Sequence, residues 1–220
     1  MPPWPDLPTD PSASTNELFM SLEGKLDPER FLEDALPGVH AAGRPYVDWF
    51  FGGSANARTA LRSWMARPSS EVFVGRAVLL IARDAVLGGF IALSGAELSR
   101  CRQADAVASI TLAGLERRSA IAEKFKLSQE LFPPVTVDEF YLSKIWVSPE
   151  AQGARHGAAL LRRYVDGGAQ RGFTRFRLDV WSGNDVAIRM YRRFGFKTLQ
   201  ESVSDGAVLR YTSMIATSPI

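Results

Sequence analysis

A short glycine-containing loop between a strand and a helix is the part of this sequence best suited to chemistry. Residues 141–147 mix β-branched and aromatic types and predict a half-buried strand, which Ser148 and Pro149 end. Residues 152–158, QGARHGA, follow, and apolar residues then recur at helical spacing. The first turn of a helix has free N–H groups and a partial positive charge, and glycines let a phosphate approach the backbone closely. The pattern indicates either an anion site suited to a pyrophosphate or an ordinary strand-to-helix connection.

Size, composition and charge are those of an ordinary globular protein. With 220 residues, of which 46% are hydrophobic and 23% charged, the chain can form one domain with a substantial core. A net charge of +2 is too slight to indicate a nucleic-acid partner. The longest apolar run, residues 77–82, is far shorter than the roughly 18 to 20 residues of a membrane helix. The single cysteine, Cys101, excludes a disulfide within this chain and is interpreted as a small buried hydrophobe.

The first residues differ in composition from the remainder. Residues 1–16 contain five of the 13 prolines among small polar residues, which predicts a disordered or loosely packed arm. Residues 17–220 are then expected to form a single domain. The start MPPWPDLPTDP has neither the basic region nor the apolar region of a secretory signal, so we expect a cytoplasmic setting.

Residues 17–70 are predicted to be helical in pieces. Asp27, Pro28 and Glu29 supply a helix start, and Pro37 with Gly38 is predicted to end that piece. Aromatic residues are dense in 46–53, and helical spacing resumes over 57–65. These aromatics are interpreted as core or as the wall of a pocket.

A hairpin and a helical insertion are predicted before the central strand. Residues 72–83 and 86–93 are apolar, β-branched runs that indicate an antiparallel hairpin. The insertion spans 98–134, and its alanine-rich part, 104–130, predicts two helices or one helix kinked near Gly114.

The strand and helix pattern recurs after the loop. The helix there is expected to end near Ala169, and residues 175–182 then alternate apolar with charged side chains, which predicts a strand with one buried face. Asn184 is a predicted N-cap for a helix that Gly195 ends. Closing strands are predicted at 196–199 and 207–215, with a turn at 204–206. This order predicts an α/β fold with a mixed sheet.

Two sequence motifs, VSPEAQGARHGAALL and RFRLDVWSGNDVAIRMYRRFGF, resemble the central motifs of the Gcn5-related N-acetyltransferase (GNAT) superfamily. In the family, the first motif is a Gln or Arg, then two residues, a Gly, one residue, and a Gly or Ala. The second motif has Asn, Ala, Tyr and Gly-Phe at helical spacing. The resemblance covers about residues 141–199. Arg155 departs from it, because this position usually carries a glycine. The resemblance implies a mixed, mostly antiparallel central sheet flanked by helices, with a helical insertion before the central strand.

The resemblance also implies acetyl-CoA as co-substrate and no metal. The main chain of the central strand would pair with the pantetheine arm, at Ile145, Trp146 and Val147. The loop backbone would hold the pyrophosphate, through Gln152, Gly153, Ala154, Arg155, His156, Gly157 and Ala158. Arg155 either adds a cation or extends into solvent. His156 is expected to be exposed or next to the pyrophosphate rather than catalytic. Asn184 would face the cofactor or order a water, which is compatible with an N-cap.

Acetyl transfer to an amine needs a base and an acid. A lysine-like amine has a reference pKa of about 10.4, so a base or a water chain must take its proton, whereas a leaving thiolate must gain one. The resemblance implies Tyr191 as the general acid; the alternative interpretation is a core tyrosine. Glu139 is the predicted base because it shares a strand face with Tyr141. The alternatives for Glu139 are a solvated surface residue and proton removal through water.

We therefore predict an N-acetyltransferase that moves an acetyl group from acetyl-CoA to a primary amine of a small molecule or peptide, by direct attack in a ternary complex. The alternative is a catalytically silent acyl-CoA-binding regulatory module, favoured by Arg155 and by the lack of an acid in the middle of the central strand. A P-loop is excluded because no glycine precedes a Lys-Ser or Lys-Thr pair. The N-terminal helices and the insertion are expected to shape the acceptor site. A homodimer is compatible with the resemblance.

Overall fold

Seven strands form the framework of the protein, for which a computed structural model describes residues 17–25, 27–112, 115–204 and 209–218. The strands are β1 Glu17–Ser21, β2 Ala77–Ala82, β3 Ala85–Ser94, β4 Glu139–Val147, β5 Arg175–Trp181, β6 Lys197–Val203 and β7 Arg210–Thr217. They form one sheet in the order β1-β2-β3-β4-β5-β7-β6. Only the β4–β5 pair is parallel among these neighbours, so the mixed, mostly antiparallel sheet is confirmed.

Helices cover both faces of the sheet. They are α1 Leu32–Gly43, α2 Tyr46–Phe51, α3 Ser54–Met65, α4 Gly95–Leu112, α5 Arg118–Leu131, α6 His156–Gln170 and α7 Asp185–Arg193. Buried residues of α1, α3 and the start of α4 pack on one face, and those of α6 and α7 pack on the other. The helical insertion before β4 is confirmed as α4 and α5. In the described part of the chain, no helix is long and apolar enough to cross a membrane.

Some predictions fall outside the described residues. These are the arm at 1–16, the break at Gly114 and most of the turn at 204–206. The predicted hairpin is confirmed as β2–β3. Its two turn residues, Arg83 and Asp84, have φ of 49° and 66°, and paired left-handed residues suit the right-handed twist of a hairpin.

The N-terminal part departs from the prediction in two places. Residues 17–21 form strand β1, which pairs with β2 at the edge of the sheet, rather than a helix. Pro37 and Gly38 lie inside α1 and do not end it. A Cβ added at Gly38 would lie 2.0 Å from Cδ1 of Trp146, so the glycine lets α1 approach β4 closely. Tertiary packing therefore outweighs the helix-breaking tendency of this pair.

Helix α4 begins directly after β3, nine residues before the predicted alanine-rich stretch at 104. A capping box starts it: the Glu97 N–H donates to Ser94 Oγ at 3.3 Å, and the Ser94 N–H donates to Glu97 Oε2 at 3.0 Å. The sequence carries this Ser-x-x-Glu spacing at residues 94–97.

Strands β4 and β5 separate along their length. They pair only from Glu139 with Arg175 to Leu142 with Leu178. Beyond that point the register of β4 against β3 shifts, because Leu142 pairs with Ala92 and Lys144 with Ile91. Ser143 is the extra residue of a β-bulge, and bulges bend a strand and redirect its side chains. The central sheet therefore opens between the carboxyl ends of β4 and β5.

Replacing Gly38 by Ala should destabilise the fold. The added methyl group would collide with the Trp146 indole, and overpacking of this kind costs about 1–3 kcal/mol. Denaturant unfolding measures the free energy of unfolding. Gly157→Ala is the matched control, because its methyl would meet Met190 Sδ at an ordinary 3.4 Å. Equal stability of the two variants would contradict the close approach of α1 to β4.

Candidate active site

A narrow cleft of about 180 Å³ occupies the gap between β4 and β5. Its walls are the diverging strands, the start of α6 and one face of α7. The predicted site residues that line it are Ile145, Trp146, Val147, Gly157, Asn184 and Tyr191. The Trp146 ring packs in the core with α1, so this residue offers its main chain to the cleft. Asn184 caps α7, since its Oδ1 accepts from the Ala187 N–H at 3.1 Å.

The loop before α6 keeps a compact path despite its arginine. Gly153 has φ of 88°, and Arg155 has φ of 62°, which is the left-handed region that favours glycine. This conformation costs a non-glycine residue about 1 kcal/mol, and it explains the glycine that the GNAT motif usually has here. The side chains from Gln152 to Arg155 are exposed, and Ala158 is half-buried.

His156 is buried, so of the two expected placements, exposed or next to the pyrophosphate, the exposed one is wrong. Its Nδ1 lies 2.9 Å from the carbonyl oxygen of Ala151, and its Nε2 lies 3.3 Å from Oε1 of Glu17. The ring therefore ties the loop to strand β1 and has a structural place in the fold.

The two predicted catalytic residues are not brought together. Tyr191 lies in the cleft, and burial raises the pKa of its phenol well above the usual value, so the hydroxyl stays protonated at neutral pH. Glu139 lies at the start of β4 and lines neither this cleft nor the larger cavity described next. Its carboxylate accepts from Nη2 of Arg175 and from the Thr136 N–H, each at 2.9 Å. This placement does not support Glu139 as the base.

A larger cavity of about 660 Å³ lies on the α1 side of the sheet. Its walls come from α1 to α5 and β4, and many of them are aromatic: Tyr46, Trp64, Phe125, Phe132, Tyr141 and Tyr211. The aromatic segment at 46–53 therefore contributes to both the core and a pocket wall. The cavity shares five lining residues with the narrow cleft, namely Ala42, Ser143, Lys144, Asp179 and Tyr211. The two spaces meet at the mouth of the gap between β4 and β5.

A network of half-buried and buried charged side chains forms the floor of the larger cavity. Arg102 donates to Glu71 Oε2 at 3.0 Å and to the Tyr141 hydroxyl at 3.1 Å. Tyr141 in turn donates to Oδ2 of Asp179 at 3.0 Å. Burial raises the pKa of Glu71, but the positive charges of Arg102 and Lys144 outweigh it and lower that pKa to about 2. Glu71 is therefore ionised at neutral pH.

Strand β5 has two buried faces, although its alternation predicted one. The side chains of Arg177 and Asp179 are each 1% exposed and lie 3.5 Å apart. Ser213 on β7 also donates to Asp179. The sequence missed this site because charged residues that alternate with apolar ones usually face solvent, and Glu71 and Arg102 lie in no recognisable motif. The Asp179 partners come from three different elements, which spacing along one strand does not reveal.

Glu71→Gln should destabilise the protein in a pH-dependent way. The folded-state pKa of Glu71 is lowered from 4.5 to about 2, so its contribution is present above pH 4.5 and is lost as the pH falls towards 2. The free energy of unfolding at pH 7 should fall by roughly 3 kcal/mol. Urea unfolding from about pH 7 to about pH 3 should show the difference from the unmodified protein shrinking below about pH 4.5.

Glu33→Gln is the control for this experiment. Glu33 pairs with Arg62 at the surface, where both side chains are more than half exposed, and its loss should change stability by less than about 1 kcal/mol. A Glu71→Gln effect that stays constant over the whole pH range would contradict the lowered pKa.

Comparison with known proteins gives the same family as the motifs. Residues 106–196 match the model described as the acetyltransferase (GNAT) family. A thialysine N-epsilon-acetyltransferase from Mus musculus is 27% identical over 96 residues, which are 44% of this chain and 56% of that protein. The match thus spans about half the length of the curated relative.

Solved structures share the fold at low sequence identity. An N-acetyltransferase from Staphylococcus aureus Mu50 superposes with a TM-score of 0.66 at 14% identity, over 90% of this chain and 100% of that one. The PaiA N-acetyltransferase from Thermoplasma acidophilum, in complex with coenzyme A, gives 0.53 at 12% identity, over 92% and 99%. The described residues contain no group of three or more His, Cys, Asp or Glu side chains placed to hold a metal ion. Residues 106–196 therefore match the GNAT family model, and the fold is that of these solved acetyltransferases.

Proposed function

We propose that this protein transfers an acetyl group from acetyl-CoA to a primary amine by direct attack in a ternary complex. The observation that carries the proposal is the meeting of two spaces of different size at residues 42, 143, 144, 179 and 211. A narrow space suits the thin arm of one substrate, and a wide space suits a separate acceptor. Holding both with their reacting groups at one place supplies much of the rate enhancement of a two-substrate reaction.

Acetyl-CoA fits the narrow side of this site. Beyond Leu142, β4 has no ladder with β5, so main-chain groups of residues 145–147 are available to the pantetheine arm. The pyrophosphate would lie on the loop at 152–158 and the first turn of α6, where N–H groups are free and the helix dipole favours an anion. The exposed Arg155 guanidinium adds a positive charge at the same end. The coenzyme A complex of the PaiA protein supports this assignment by fold alone.

The wide side is proposed to hold a small-molecule amine with an apolar, ring-containing body. Aromatic walls bury large apolar area and stack on flat groups, whereas the charges lie on the floor beside β4. The amine would therefore point towards Lys144 and Asp179. The name of the mouse relative, a thialysine N-epsilon-acetyltransferase, describes an enzyme that modifies a small amine. A peptide amine is the second candidate. The cytoplasmic setting and the homodimer stay predictions from the sequence.

Tyr191 is the proposed general acid. The acceptor nitrogen attacks the thioester carbonyl carbon, the carbon–sulfur bond breaks, and the phenol supplies the proton that the sulfur gains. Its place on α7, inside the narrow cleft, supports this role. The proton that the amine loses goes to a base, and Glu139 is not proposed for it because its carboxylate lies outside both spaces.

Tyr191→Phe should lower kcat by about 10²- to 10⁴-fold while the affinity for CoA is largely kept. Thiol release with a broad amine panel measures turnover, and calorimetric titration with CoA measures affinity. Tyr164→Phe is the matched control: it removes a buried hydroxyl that donates to the backbone and lines neither space, so it should lower stability and leave turnover intact. Unchanged turnover in Tyr191→Phe would remove Tyr191 from the mechanism.

The silent binding module is tested by the same assays. If the unmodified protein binds CoA tightly but releases no thiol with any amine of the panel, the enzyme proposal fails and the regulatory module replaces it.

A larger side chain in the wide cavity should impair use of the acceptor amine without changing the binding of CoA. Ala106→Phe adds a ring to the α4 wall, and kcat/KM for a bulky amine should fall at least about tenfold through steric exclusion, with the affinity for CoA unchanged. Val107→Phe, one residue along the same helix, is the control because Val107 is 62% exposed. Equal kcat/KM values for the two variants would place the acceptor elsewhere.

A further inference from the structure

We propose that Lys144 is the general base of the acetyl transfer and that its neutral ε-amine accepts the proton released by the attacking amine. The inference rests on the proposed function and assigns the role for which Glu139 is badly placed. It is carried by the position of Lys144 in the sheet, by the engagement of the neighbouring groups, and by the burial of its amine.

The bulge in β4 puts Lys144 at the meeting point. Leu142 and Ile145 pack towards α6 and α7, so the extra residue turns both Ser143 and Lys144 towards the wide cavity. Lys144 lines this cavity and the narrow cleft alike. Its Nζ donates to the carbonyl oxygen of Ser143 at 3.0 Å and to Ser143 Oγ at 3.3 Å, which hold the amine beside the strand.

The other titratable residues that line both spaces are already engaged. Each carboxylate oxygen of Asp179 accepts a hydrogen bond, one from Tyr141 and one from Ser213. Burial raises the pKa of the Tyr211 phenol, which keeps it protonated and unable to accept a proton at neutral pH. Lys144 is the remaining titratable side chain shared by the two spaces.

The acids that line only the wide cavity are poor bases for the same reaction. Glu71 has a pKa of about 2, and its two oxygens accept from Arg102 and Ser143. Asp105 lines only the wide cavity, and its carboxylate accepts from Arg67, from Ser70 and from the Glu71 N–H.

Burial makes the neutral form of Lys144 more accessible than that of a free lysine. Burial lowers the pKa of its amine, and the charge of Glu71 opposes that effect. Arg102 acts in the same direction as burial, whereas Asp179 and Asp105 act against it. The net pKa is lower than that of a free lysine. A base whose pKa is nearer the working pH is more often unprotonated and is therefore more effective.

The proton balance of the step is complete. The acceptor nitrogen forms a bond to the carbonyl carbon and becomes positively charged, Lys144 Nζ takes the extra proton from that nitrogen, and the carbon–sulfur bond breaks. The sulfur takes a proton from Tyr191. Release of the amide and the thiol leaves a lysine ammonium and a tyrosinate, and exchange of one proton between them, directly or through water, restores both groups.

Lys144→Arg and Lys144→Met test the assignment, with the amine that gives the highest turnover. Arginine keeps the positive charge but does not deprotonate, so a base predicts that both variants lose about 10²- to 10⁴-fold in kcat, with CoA affinity kept. In the unmodified protein kcat/KM should rise with pH through an acid limb that both variants lack. The ionisation of the amine substrate contributes equally to the pH profiles of the unmodified protein and both variants.

Lys124→Arg is the matched control, since Lys124 is another lysine whose pKa burial lowers, and it lines neither space. Its turnover and pH profile should match those of the unmodified protein. Near-normal turnover in Lys144→Arg, or an unchanged acid limb in Lys144→Met, would overturn the inference. Absence of thiol release by the unmodified protein would instead overturn the proposed function, so the two failures are distinguishable.

Discussion

The parting of β4 and β5 is the constraint on which the rest of the structure depends. Parallel pairing stops after four residues, and the bulge at Ser143 follows at once. A sheet that opens in its middle loses main-chain hydrogen bonds there, and a buried strand edge is costly unless another group satisfies it. The narrow cleft is the space that this edge leaves, and α7 forms its far wall. The fold thus keeps open an edge that a thin polar ligand can satisfy.

Buried charge is the second feature that the opening requires. Glu71, Arg102 and Asp179 line the wide cavity and Arg177 lies beside Asp179, in surroundings where an isolated charge is unfavourable. Two pairs of opposite charge, Glu71 with Arg102 and Asp179 with Arg177, offset this cost. The Tyr141 hydroxyl joins the two pairs. Removal of one member would leave its partner without an opposite charge. The charged side chains of the floor are therefore held in a fixed arrangement. A fixed polar floor under apolar walls orients a ligand by one end.

Much of this architecture is readable from local sequence, and the remainder is not. The strand, loop and helix around residues 152–158 were found because turn residues and spacing act locally, as was the N-cap at Asn184. Tyr191, which lines the cleft, was implied by the family resemblance and not by local spacing. Strand β1 was missed because its pairing partner lies about sixty residues away. Pro37 and Gly38 were read as a helix end, because the indole that needs the glycine lies on a distant strand.

The charged site likewise depends on residues that are distant in sequence, so local sequence does not predict it. Strand alternation predicts one face for Glu139 and Tyr141, but the bulge at Ser143 changes which later residues share that face. Bulges leave little trace in the sequence, so Lys144 could not be assigned to the cavity beforehand. Arg177 and Asp179 follow the alternation of a solvated face, and only their partners on β4 and β7 show that they are buried.

A loop motif can require glycine for its backbone conformation or for its small volume, and the left-handed backbone at Arg155 distinguishes these two reasons. The side chain there is exposed, so the position restricts the dihedral angles and not the volume of the residue. Any residue that tolerates positive φ at modest cost keeps the same turn, with Asn and Asp the next most tolerant after glycine. A pattern that insists on glycine at this position would therefore overlook chains whose loops follow the same course.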